Sequence, residues 1–317
     1  MQQNQRNITE KTYRKLVLKI GLTGFAYGIW DTLQKTLIDF REIEFDATDK
    51  TKKIEDCYEH AFFNSTDLRK PYDEVQVIHD NNLNTFVPNA LFDESYLGSY
   101  MQFNTKVFDT DFFTFDTLEA YGMHNVYIPY VHLNNFLIDK FGQFEYRHAA
   151  SILVQRLLDL TKNATAKKIF VHLTANHFEI VVLHNQRVLL YNSFEYKTPE
   201  DVVYYILFSA EQLQLNPEEF SLEFLGKISA DSEVYSLIYN YVRHVSFFDV
   251  SQCKAHNTYS NALNLQHFIL FQSWELFLEN TRAVAYLLRE ICPYVPPQTW
   301  AKKPCLIFST TTLILMD

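Results

Sequence analysis

A chain of 317 residues with a formal charge of −10, carrying 28 Lys and Arg against 38 Asp and Glu, shows no run of cations with which to grip nucleic acid or an anionic membrane. Its 7 glycines are few for a site that cradles phosphates with backbone N–H groups, where glycine lets the chain come close. Cys57, Cys253, Cys292 and Cys305 have no metal or disulfide spacing, and the sequence has no leader-like apolar core and no run long enough for a membrane span, so a cytoplasmic protein is expected.

The first β-rich run is Lys15–Leu22, followed by Tyr27–Trp30 and by Thr36–Phe45, whose end alternates apolar and polar residues. A helix is predicted near Ile54–Phe63 and a strand at Val75–His79. An extended aromatic stretch comes next (Phe112, Phe113, Phe115, then Val126–Tyr130), leading to helices at Leu133–Lys140 and Ala149–Lys162. The strand pattern then returns as Lys168–Thr174, Phe178–Leu183 and Arg187–Phe194, with His184-Asn185-Gln186 as a hairpin turn. Thr198 as cap, Pro199 at the first helical position and Glu200 and Asp201 in the first turn start a helix that Asn216-Pro217 ends. A strand at Phe220–Leu225 closed by Gly226, a helix near Asp231–Tyr241 and a short strand at Val245–Phe248 complete the series.

Residues Gly21–Phe45 lie over His172–Tyr196 without a gap, pairing Leu22 with Leu173, Tyr27 with Phe178, Ile29 with Ile180 and Phe40 with Tyr191. A unit that recurs once, at domain spacing, implies two similar lobes rather than a solenoid. The expected division is a first lobe at 12–145, a second at 146–273 and a tail at 274–317. Back-translated and read in the neighbouring frame, that tail yields a peptide resembling the N-terminus of a bacterial rRNA guanine methyltransferase. A gene overlap or frame error is therefore expected there, with no functional residue.

With this strand order and repeat, the region from Lys15 to Ser273 resembles a bacterial family of unknown function in the actin-like ATPase superfamily, and is similar to pilus-assembly ATPase-like proteins. The resemblance implies an α/β fold: a duplicated actin-like (ribonuclease H-like) pair of lobes, each β-β-β-α-β with a mixed sheet. In relatives that use ATP, an Asp-x-Gly sequence opens the first hairpin of each lobe. Here those positions fall on Gly21 and Thr23, and on His172 and Thr174, so neither acid is present. Where relatives present a glycine pair to the adenosine, Gly226 is followed by Lys227.

The implied protein is a non-catalytic interaction module with no cofactor and no metal. Its expected partner is another protein, not nucleic acid or a membrane. Thr23, Gly24, Thr174, Ala175, Asn176 and Gly226 are expected to face the interlobe cleft, against the plainer reading of ordinary turn residues. The competing reading is a nucleotide-dependent phosphotransferase or ATPase whose acids come from elsewhere, such as Asp31 or Asp80. A third reading is a homodimer formed through exposed aromatic surface.

Other constellations are weaker. His172, His177 and His184 share a hairpin, but His184 sits in the turn about 20 Å from His177 at roughly 3.3 Å per residue, and although His172 and His177 can approach each other, the sequence singles out no third ligand for them. His148 begins a long helix, where a satisfied hydrogen bonder is the ordinary reading and a base near the cleft the alternative. Asp109 and Asp111 share one face of an extended run, a pair expected to be solvated over a metal or acid–base role, and Asp116 takes the other face. Cys57 reads as packing, and Cys253 precedes His256 in a loop, with no nucleophile motif around either.

Overall fold

The computed structural model describes residues 11–45, 53–103, 105–108, 110–162, 166–253 and 257–276; Asp109, His256 and the tail from 277 onward lie outside them. The first lobe runs β1 (Arg14–Ile20), β2 (Gly24–Asp31), β3 (Thr36–Glu44), α1 (Ile54–Asn64) and β4 (Glu74–His79). Then follow β5 (Asn84–Pro88), α2 (Leu97–Met101), β6 (Thr114–Leu118), β7 (Met123–Tyr127), α3 (Val131–Phe141), β8 (Glu145–His148) and α4 (Ala149–Leu160). The second lobe runs β9 (Lys168–Leu173), β10 (His177–His184), β11 (Arg187–Glu195), α5 (Pro199–Gln212), β12 (Ser221–Gly226), α6 (Glu233–Ile238), β13 (His244–Phe247), α7 (Asn261–Gln266) and α8 (Phe268–Leu276). Among the described residues no helix is long and apolar enough to cross a membrane.

The two large sheets have the same strand order, β3-β2-β1-β4-β8 and β11-β10-β9-β12-β13, with an antiparallel meander feeding parallel crossovers. Both faces of each are covered. Leu16, Leu18, Phe25, Tyr27 and Val77 turn outward onto α1 and α3, while Ile169, Val171, Phe178, Ile180 and Leu222 turn outward onto α5 and α6. The alternate residues, Val17, Ala26, Trp30 and Ile78 from one sheet and Phe170, Val181, Leu183 and Leu225 from the other, form one inner core with α4 and α8 between the lobes. This explains why the central strands read as near-continuous apolar runs. Trp274, the first residue of the expected tail, lies in α8, is buried in this core and accepts a hydrogen bond on its carbonyl from Lys15 Nζ at 3.1 Å.

The repeat needs a register correction. The backbone of Gly21 bonds to Gly24 O as that of Thr174 bonds to His177 O, so Gly21 is matched by Thr174 and not by His172. The cause is the next turn. Asn185 and Gln186, both at positive φ, close the β10–β11 hairpin in two residues, whereas Asp31 pairs with Thr36 across a turn two residues longer. The third strands keep the gapless register, Glu44 matching Glu195, and their aromatic positions draw the sequence alignment to it.

The aromatic stretch is not a plain extended segment. It is an insertion between β4 and β8 with its own antiparallel sheet, β5-β7-β6. Beneath it lies a buried polar seam. Asp116 is buried and accepts from Ser151 Oγ at 2.5 Å, the His148 N–H at 2.8 Å and the Tyr127 hydroxyl at 3.2 Å. Asn125 donates to Ser151 Oγ and accepts from Asn84, whose Oδ1 takes a bond from Tyr191 of the second lobe. His148 caps α4, its Nδ1 accepting from the Ala150 N–H, and its Nε2 lies 3.1 Å from Asn81 Oδ1. His148 is thus the satisfied hydrogen bonder its position suggests.

Two outcomes follow from this seam. Asp116→Ala strands three donors and should lower stability by about 3 kcal/mol in urea denaturation, while Asp111→Ala, which removes an acceptor for the Phe108 N–H in an exposed turn, should cost less than about 1 kcal/mol. Equal effects would contradict the seam. Burial lowers His79 to about 3 and His148 to about 4. The unfolded chain therefore binds more protons below about pH 6.5, and each residue should remove about 2 kcal/mol of stability between pH 6.5 and 5. His177, whose pKa is raised, offsets part of this. A flat or rising denaturation midpoint over that range would contradict the assignment.

Candidate functional site

The cleft between the lobes opens at the carboxyl ends of β1, β4, β9 and β12, the edge where open α/β sheets offer strand termini and turns to a ligand. It has a volume of about 450 Å³ and is lined by Lys19, Glu42, Glu44, Asp80, Glu195 and Lys227 among others. Thr23, Gly24, Thr174, Ala175 and Asn176 line it as well. Gly226 does not; it borders a neighbouring hollow of about 680 Å³ with Ser229 and Asp249. Its φ of +86° and the Leu173 carbonyl, 2.0 Å from where a Cβ would sit, explain why only glycine serves there. The turn lets the Lys227 N–H reach Leu173 O and aims the lysine across the cleft.

Equivalent positions in the two lobes carry different charges. Lys19 and His172 each stand one residue before the end of β1 and β9, and Asp80 and Lys227 each follow the last residue of β4 and β12. Glu179, third in β10, corresponds to Ala26 in β2. Even strand alternation sends these residues inward, to a floor where His172 and Glu179 are nearly fully buried.

Lys19 Nζ lies 2.7 Å from Asp80 Oδ2, and His172 Nδ1 lies 2.8 Å from Glu179 Oε2. His177 Nε2 stands 3.3 Å from Glu179 Oε1 and 3.9 Å from Asp80 Oδ1, the latter contact crossing the cleft. Burial alone would raise both carboxyl groups. Lys19 and His177 instead hold Asp80 below its ordinary value, and His177 and His172 hold Glu179 well below the usual carboxylate range. Burial opposes a charge on His177, but Glu179 and Asp80 raise its pKa.

Two further clasps cross between the lobes. Lys227 Nζ meets Glu42 at 2.8 Å and Glu44 at 2.6 Å, and Asn82 donates to Glu195 at 3.2 Å. Because Glu44 and Glu195 are matched, as are the loops after β4 and β12, the clasps are approximate mirror partners. They keep the third strand of each lobe against the other lobe's crossover loop.

Of the histidines weighed as ligands, His172 and His177 converge and His184 lies at the far end of β10. The carboxylates that join them are Asp80, which the sequence offers only as a displaced acid of the competing reading, and Glu179. One comes from the other lobe, where spacing carries no signal. The other was legible, since His177-x-Glu179 on a strand puts both side chains on one face. Asp31 is at the opposite end of β2, its Oδ1 accepting from the Leu33 and Gln34 N–H groups of the turn. Cys253 is buried and its thiol is pushed up to about 11, the reverse of an activated nucleophile.

The architecture has solved counterparts. A Bacteroides thetaiotaomicron protein with an actin-like ATPase fold and unknown function aligns at 18% identity over 77% of this chain and 93% of that one, with a TM-score of 0.70. A structure of the PilM–PilN type IV pilus biogenesis complex aligns at 11% identity over 83% of this chain and 98% of that one, with a TM-score of 0.56. No curated protein matches the sequence significantly. The expected two-lobe actin-like α/β fold is the fold observed. Residues 3–245 match the family described as "Protein of unknown function (DUF3822)", and the chain belongs to that family.

Proposed function

We propose that this protein is an actin-like module that holds a protein partner and does not hydrolyse nucleotide. The observation that carries the reading is the charge at the cleft. The corrected hairpin turns, Gly21-Leu22-Thr23-Gly24 and Thr174-Ala175-Asn176-His177, contain no carboxylate to organise a metal-bound triphosphate and its attacking water. The carboxylates that do line the cleft, Glu42, Glu44, Asp80 and Glu195, outnumber its lysines, Lys19 and Lys227, and both lysines are already paired. A triphosphate would meet net negative charge there. Asp80, the displaced acid of the competing reading, is bound to Lys19.

Support for a protein partner comes from the surface of the insertion, where Leu91, Tyr96, Phe103 and Phe108 are exposed, Phe103 at 88%. It also comes from the fold's appearance in a two-protein assembly, the PilM–PilN complex.

Thermal melts with millimolar ATP and magnesium should show no shift, whereas stabilisation by several degrees would favour the phosphotransferase reading. In affinity capture, Phe103→Asp should lose a protein that the wild-type chain retains while its melting temperature stays within about 2 °C, as a surface substitution should. Retention of the same protein by both chains would move the partner surface elsewhere.

A further inference from the structure

We infer that Asp80, His177 and Glu179 form an interlobe site for one divalent transition-metal ion of the zinc class. This inference is independent of whether the cleft takes nucleotide. One donor atom from each residue lies within 4.8 Å of the others. Asp80 Oδ1 and His177 Nε2 are buried and lack a hydrogen-bond partner among the described residues, and the His177 side chain is only 8% exposed. Buried polar atoms left in this way are uncommon, and both point to one spot.

The His177 ring has a defined orientation. Its Nδ1 lies 2.9 Å from Thr174 Oγ1 and 3.0 Å from Asn176 Oδ1. The Thr174 hydroxyl donates to the His177 carbonyl at 2.8 Å, so Nδ1 carries the proton that completes these bonds. In the neutral ring Nε2 then directs a lone pair at two carboxylate oxygens, an arrangement completed either by a proton on Nε2 or by a metal cation that displaces it. Four ligands around zinc at about 2.1 Å stand roughly 3.4 Å apart. The distances of 3.3 Å and 3.9 Å from His177 Nε2 to Glu179 and Asp80 require little movement.

The outer contacts of the site are in place. Lys19 occupies the other oxygen of Asp80 at 2.7 Å and His172 the other oxygen of Glu179 at 2.8 Å, leaving Oδ1 and Oε1 for the ion. An imidazole with two carboxylates suits zinc better than magnesium, which keeps most of its waters and prefers an all-oxygen shell. Asp80 and His177 both line the cleft, from which water can supply a fourth ligand. Asp80 belongs to the first lobe and His177 and Glu179 to the second, so the ion would link the lobes.

The test uses the full chain, stripped with a chelator and then given zinc or cobalt(II) alone. One zinc per chain should survive dialysis, the melting temperature should rise by several degrees, and cobalt should produce visible d–d absorption of a low-coordinate site. His177→Gln and Asp80→Asn should each weaken zinc at least tenfold in competition with a chromophoric chelator. If His177→Gln does not fold, Asp80→Asn and the wild-type cobalt spectrum decide. Zinc below about 0.2 per chain with no cobalt band would overturn the site, as would retention undiminished in the variants, which would assign the metal to exposed histidines such as His132.

Discussion

The rest of the molecule depends on the inner core that the two sheets share. Each sheet buries both faces, and the inward residues of both close on the same pair of helices, α4 and α8. Neither lobe can cover its inner face alone, so the lobes are joined by apolar burial along most of their contact. Only where the strands run out, at the cleft, do inward positions become polar. Lys19, Asp80, His172, His177 and Glu179 are thereby brought together, with His172 and Glu179 nearly fully buried, and they pair with one another there.

That constraint accounts for the asymmetry of two otherwise matched lobes. A strict copy would put identical charges at equivalent places and make them repel across the cleft. Asp80 is matched by Lys227 and Ala26 by Glu179, so the two lobes do not present the same charge at these places. The mirror-related clasps, Lys227 to Glu44 and Asn82 to Glu195, extend the same logic to the rim. Rim pairs of this kind contribute modestly to stability, about 1 kcal/mol or less each. Their larger effect is to fix how the lobes face each other.

The strand order was legible because hydrophobic period and turn chemistry agree: Thr198 and Pro199 start α5 as their residue types require, and the Thr198–Asp201 capping box forms. The hairpin register was not. Similar aromatic residues in β3 and β11 favour a gapless alignment, while the compact Asn185-Gln186 turn shifts β10 by two residues against β2. The inserted sheet was hidden because its short strands lack long alternation, and the depth of Asp116 was hidden because three distant donors bury it. The turn residues facing the cleft were named from a resemblance, but the charged floor beneath them joins the end of β4 to β10, and only its His177-x-Glu179 half has a local signature.

On the proposed reading the lobes are held closed by shared apolar burial and by charge pairs across the cleft, without nucleotide. Spin labels at Glu59 on α1 and Glu211 on α5, both exposed, in a chain cleared of its native cysteines, would measure the interlobe separation directly. One narrow distance, unchanged by magnesium and ATP, is the predicted result. A broad distribution that contracts by several ångströms when nucleotide is added would contradict it.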